Sequence, residues 1–115
     1  DMKIAYIAHP VSGNVSLNKA KIRQIGREIN LNEPNVIPFA PYYFSLEILD
    51  DSNMTERFRG IKNNHEILRR GIVDELRLYG ERISSGMRDE VIIAREMGIP
   101  VVAMTRETLN NYKTI

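Results

Sequence analysis

The chain has no cysteine, which excludes disulfides and thiolate metal sites together. Its two histidines, His9 and His65, leave little material for a metal centre. No charge of one sign dominates. Sixteen Lys and Arg face fifteen Asp and Glu, a formal net charge of +1, so bulk electrostatics gives no reason to expect binding to a nucleic-acid polymer. Apolar runs are short, and none approaches the ~20 residues that span a bilayer. The opening "DMKIAYIAHP" is too brief an apolar run for a signal peptide and reads as a strand. Internal repeats and low-complexity tracts are also lacking. The expectation is a cytoplasmic protein without membrane partner, metal or cofactor.

What is present fits a single domain over residues 1–115, since a chain of this length holds one core. Such a chain buries about two thirds of its unfolded surface, enough to be stable without covalent staples. "KIAYIA" (3–8) has strand character and ends in the loop "HPVSGN". With Asn14 or Ser16 as cap, a helix follows in which Val15, Ile22, Ile25 and Ile29 share one side. "VIPFAP" (36–41) reads as a second strand, and "YYFSLEILDDSN" (42–53) as a long loop with at most one helical turn. A helix then starts at Met54, capped by Asn53 or Thr55. Its apolar stripe is Met54, Phe58, Ile61, His65, Leu68 and Ile72. "VDELRLY" (73–79) is a third strand, and "GERISSG" a loop leading into a helix that stops at Gly98. "IPVVAMT" (99–105) is the last strand, followed by a polar tail.

This alternation predicts an α/β fold, a small flavodoxin/Rossmann-like three-layer sandwich with a mostly parallel sheet of four to five strands. In such folds ligands bind at the carboxyl ends of strands. "HPVSGN" and "GERISSG" should therefore open on one rim. Each offers small residues and free N–H groups suited to an anion: Ser12 and Gly13 in the first, Ser84, Ser85 and Gly86 in the second. Each loop considered alone reads first as capping and tight turning.

Glu90 lies three residues after Met87 and four before Ala94, on or beside the apolar side of its helix. Helix-end electrostatics with a solvated head is one account; a carboxylate set at the strand-end rim is the other. His65 interrupts an apolar stripe, as a hydrogen-bonded core residue or as a catalyst. Tyr6 is explained by burial in the first strand, unless its hydroxyl reaches the site. Tyr42 and Tyr43 suit a base pocket or ordinary packing.

Two stretches, "YIAHPVSGNVSLNKAK" and "VDELRLYGERISSGMRDEVIIAREMGIPVV", resemble the nucleoside 2-deoxyribosyltransferase-like proteins, most closely the short members of bacteria and phages. The second carries Ser84, Gly86, Glu90, Ala94, Gly98, Pro100 and Val101 at the family's spacing. The resemblance implies a flavodoxin-like homo-oligomer that acts on a small-molecule nucleoside or nucleotide. It implies cleavage or transfer of the N-glycosidic bond of a 2′-deoxynucleoside or its 5′-monophosphate, with Glu90 as nucleophile and Tyr6 orienting it. Ala8, His9, Pro10, Ser12 and Gly13, with Ser84, Ser85, Gly86 and Met87, would bind substrate. A further acid of the family falls near Glu66, with His65 beside it. His9 stands where these enzymes more often have glycine, and Arg77 puts a charge on an interior strand, suggesting a partly open sheet or a subunit interface. The alternative function is a module that holds a nucleotide or nucleotide-derived signal without reacting it.

Overall fold

The computed structural model describes residues 1–115 and has the element order β-α-β-α-α-β-α-β-α. Four strands, β1 (Lys3–Ala8), β2 (Val36–Phe39), β3 (Glu75–Leu78) and β4 (Val101–Ala103), form one sheet ordered β2-β1-β3-β4. All three pairings are parallel, with Ala8 opposite Leu78. β1 is central and buried on both faces, which explains its almost unbroken apolar run. Alternation then divides its side chains. Ala5 and Ile7 pack with Ile29 of helix α1 (Val15–Asn32) and with Val36. Tyr6 and Ala8 join the larger core, built with Leu68 of α3 (Met54–Leu68) and Met87, Val91 and Ala94 of α4 (Ser85–Glu96). Helices thus cover both faces of the sheet. The protein is an α/β sandwich of flavodoxin/Rossmann-like type, and no helix is long and apolar enough to cross a membrane.

Local chemistry sets the helix starts. Asn14, Asn53 and Ser84 accept from the backbone N–H of Leu17, Glu56 and Met87 at 3.1, 3.1 and 3.3 Å. Gly80, just after β3, has φ +93°, and a Cβ there would come within 2.7 Å of Pro10 Cδ. Only glycine lets the loops after β1 and β3 approach so closely.

Three expectations about the helices need correction. Residues 41–48 form a helix, α2 (Pro41–Ile48), with Pro41 in its first turn. The polar tail also folds, as α5 (Arg106–Tyr112). A capping box between Thr105 and Thr108 starts it, and Tyr112 and Ile115 pack on the larger core. The stripe assigned to α3 is rotated: Gly60, Asn64 and Leu68 are buried, whereas Met54 and Phe58 are 57% and 59% exposed. The close packing of α2 sets this phase, for a Cβ on Gly60 would stand 3.3 Å from that of Ser45. On α4 the inward face is Met87, Glu90, Val91, Ile93 and Ala94.

Arg77 does not leave the sheet open. Its buried guanidinium donates two bonds of 2.9 Å to the carboxylate of Glu33 and one of 2.5 Å to Glu75, so an interior charge is fully paired within the chain.

Candidate active site

β1 runs to β2 on one side and the chain then returns to β3 on the other, so the topological switch lies between β1 and β3. Diverging connections leave a crevice at the strand ends there. A cleft of about 160 Å³ occupies this place. His9 and Ser12 from the first loop and Ser84, Ser85, Gly86 and Met87 from the third reach it, and Glu90 lies among them. The two loops meet directly. The Tyr79 N–H donates to Ala8 O at 2.9 Å, and Arg82 Nη2 lies 3.4 Å from Ser12 Oγ.

Glu90 retains only 9% of its surface. Burial pushes its carboxyl up from the ordinary 4.5 to about 7, while a hydrogen bond from the Tyr6 hydroxyl to Oε2 pulls it down. Tyr6 is fully buried, and its phenol is pushed well above 10 by the same burial and by the neighbouring carboxylate. At neutral pH the pair therefore consists of a phenol donor and a titrating carboxyl. Oε1 of Glu90 has no protein partner. Since no enclosed side-chain oxygen or nitrogen lacks one, Oε1 opens on the cleft. A phenol fixing one oxygen while the other stays free is suited to nucleophilic or general-base work.

His9 is buried, and its Nδ1 lies 2.6 Å from Pro10 O. A carbonyl only accepts, so Nδ1 carries the proton and Nε2 is a bare acceptor. Burial holds the imidazole below its usual range and keeps it neutral at pH 7. His65 lines the same cleft from α3; burial lowers it too, with Asp89 pulling the other way.

Other expected site residues stand outside the lining. Ala8 is buried in β1 as backbone acceptor, Pro10 receives the His9 hydrogen bond, and Gly13, at φ +99°, shapes the turn. Glu66 is exposed and pairs with Arg70 at 2.6 Å. One residue around a helix is ~100°, so Glu66 lies on nearly the opposite side from the inward Asn64. Tyr42 lines the cleft and donates to Ile7 O at 2.6 Å, whereas Tyr43 stands outside the lining, packed against the core with its hydroxyl accepting from Arg23. Not expected at all were Asn64 and the α2 side chains Ser45 and Leu46. Recognising α2 as a helix was the missing step, since Gly60 and Asn64 are inward only because α2 packs there. No group of three or more His, Asp or Glu side chains is placed to hold a metal ion.

Residues 3–104 match the family described as "Domain of unknown function (DUF7768)". The chain belongs to this family. The match runs from β1 through β4 and includes every residue that lines the cleft, whereas α5 lies beyond it. A comparison with curated proteins returned no match.

Proposed function

We propose that the protein cleaves or transfers the N-glycosidic bond of a 2′-deoxynucleoside or its 5′-monophosphate, with Glu90 as nucleophile. The observation that carries this reading is the buried Glu90 carboxyl, held by Tyr6 at one oxygen and open to the strand-end cleft at the other. The resemblance of residues 73–101 to the nucleoside 2-deoxyribosyltransferase-like proteins supports the same assignment. Glu90 Oε1 attacks C1′, and the C1′–N bond breaks with its electron pair passing to the base, which takes up a proton from water in the cleft. The resulting glycosyl ester is attacked at C1′ by water or a second base, and Glu90 leaves as carboxylate.

The lining favours the uncharged nucleoside over the monophosphate. Asp51, Glu56, Asp89 and Glu90 face the cleft against a single guanidinium, Arg57. A phosphate would sit at Ser12, Ser84 and the first amides of α4, with Arg82 beside Ser12.

Incubation with a panel of 2′-deoxynucleosides and their monophosphates, with free base followed by chromatography, tests the proposal. Wild type should release base, and Glu90→Gln should not. A second reading, a module that binds a nucleotide without turnover, draws on Glu66, the expected acid, which pairs with Arg70 outside the cleft and leaves Asn64 and a neutral His65 facing it from that part of α3. Binding without base release by the wild type would select it.

A further inference from the structure

In α3 the sequence places Gly60, Asn64 and Leu68 on the inward side, at a spacing of four. Leu68 is core, and Gly60 lets α2 approach. Asn64 has neither reason to be there. It retains 8% of its surface, yet no protein group pairs with its amide. Since no fully enclosed side-chain polar atom lacks a partner, both amide atoms open on the cleft. An amide held in the wall of the cleft with no protein partner gives up packing and pairing that the fold would gain from an apolar side chain or a bonded one. The arrangement makes sense when the missing partner is a ligand.

We propose that Asn64 recognises the nucleobase, pairing its carboxamide with a base edge that carries a donor beside an acceptor. This rests on the reading of the cleft as a deoxynucleoside site. The carboxamide presents one acceptor oxygen and a donor NH₂ side by side, the complement of an amino group next to a ring nitrogen or an oxo group next to a ring N–H. Around it, Leu46, Leu49, Ile61 and Met87 supply apolar surface for a flat heterocycle. The amide is uncharged, so it reads the base without protonating it. Its NH₂ strengthens its bond to the ring as the electron pair of the breaking C1′–N bond moves there.

The test uses Glu90→Gln protein, which keeps the site but not the nucleophile. Calorimetry compares the four natural 2′-deoxynucleosides with the 2′-deoxyriboside of unsubstituted purine, which lacks the exocyclic group. Adding Asn64→Leu should weaken the best natural nucleoside about 5- to 100-fold. The purine deoxyriboside should lose at most about fivefold, the value of one neutral hydrogen bond. The melting temperature should stay level or rise, because no intramolecular bond is lost. Equal weakening of both ligands with a lowered melting temperature would make Asn64 structural and overturn the proposal, as would unchanged binding. Asn64→Ser gives the same comparison if the leucine variant fails to fold. If nucleosides bind and Asn64→Leu binds them equally, base recognition fails while the deoxynucleoside reading stands. If Glu90→Gln binds none of them, both fall.

Discussion

Glu90→Gln should make the protein more stable at neutral and alkaline pH, by an amount that follows from the burial of the carboxyl. The folded state holds the Glu90 proton up to about pH 7, whereas an unfolded chain releases it near 4.5. Across that interval the native state binds more protons, so stability declines as pH rises from about 4.5 to about 7 and is level above. A shift from 4.5 to about 7 corresponds to a loss on the order of 3 kcal/mol. Glutamine does not ionise, has the same length, and offers a carbonyl to the Tyr6 hydroxyl, so the variant escapes this loss. Urea unfolding followed by circular dichroism between pH 5 and pH 8 measures it. The stability difference, variant minus wild type, should grow by roughly 2–3 kcal/mol over that range. The urea midpoint should separate by roughly 1–3 M. His9 and His65 also titrate below their usual range, but both are present in each protein and cancel in the difference. A difference independent of pH would refute the reasoning, because Glu90 would then be solvated in the native state.

Tyr6→Phe removes the only side-chain hydrogen bond to Glu90. With a bond to a charged group worth about 1.5–3 kcal/mol, the midpoint of the rising limb of base release should move up by about 1–2 pH units. An unmoved midpoint in a pH–rate profile would show that Tyr6 does not set the charge of the nucleophile. Arg77→Met strips Glu75 of its buried partner, leaving it only Lys3. Unfolding should report a loss of about 3 kcal/mol, which Met at the same site in a Glu75→Gln background recovers in part. Gly80→Ala forces an L-residue to φ +93° and against Pro10, and should cost roughly 2–4 kcal/mol. Gly71→Ala, at φ +75° with open space around it, should cost only about 1–2 kcal/mol by the same denaturation assay.

The layered α/β order and the meeting of the two loops were legible because strand and helix periods differ and each strand is a short apolar run. Glu90 was legible in part, because Met87, Val91 and Ala94 fix the phase of its helix and put it on or beside the apolar side, while its spacing does not say whether the carboxyl reaches solvent. Tyr6 was half legible: a strand position says which face a side chain takes, but not what its hydroxyl meets across the core. The phase of α3 was misread. Met54, Phe58 and Ile61 keep a regular apolar spacing, yet α2 packs against the face of Gly60 and Asn64 and leaves Met54 and Phe58 in solvent. Glu66, near which the resemblance puts a further acid, lies on the solvent side of α3, since two residues of rotation from Asn64 carry a side chain from cleft to solvent. α2 itself escaped notice because "PYYFSLEI" is apolar nearly all round and shows no helical period, Pro41 being its one start signal. α5 escaped for the opposite reason. Its sequence is polar, and what anchors it is a Thr105–Thr108 capping box with only Tyr112 and Ile115 on the core.

The most direct test of the central claim looks for the glycosyl ester itself. The protein is mixed with the deoxynucleoside that releases base fastest, quenched in acid during turnover, digested and mapped by mass spectrometry. A 2′-fluoro analogue slows both oxocarbenium-like steps, and with a good leaving base the ester still forms and then accumulates. A deoxyribosyl or fluorodeoxyribosyl adduct on the peptide containing Glu90, absent in Glu90→Gln, is the predicted result. An adduct on another residue, or base release with none under both conditions, would contradict Glu90 as the nucleophile.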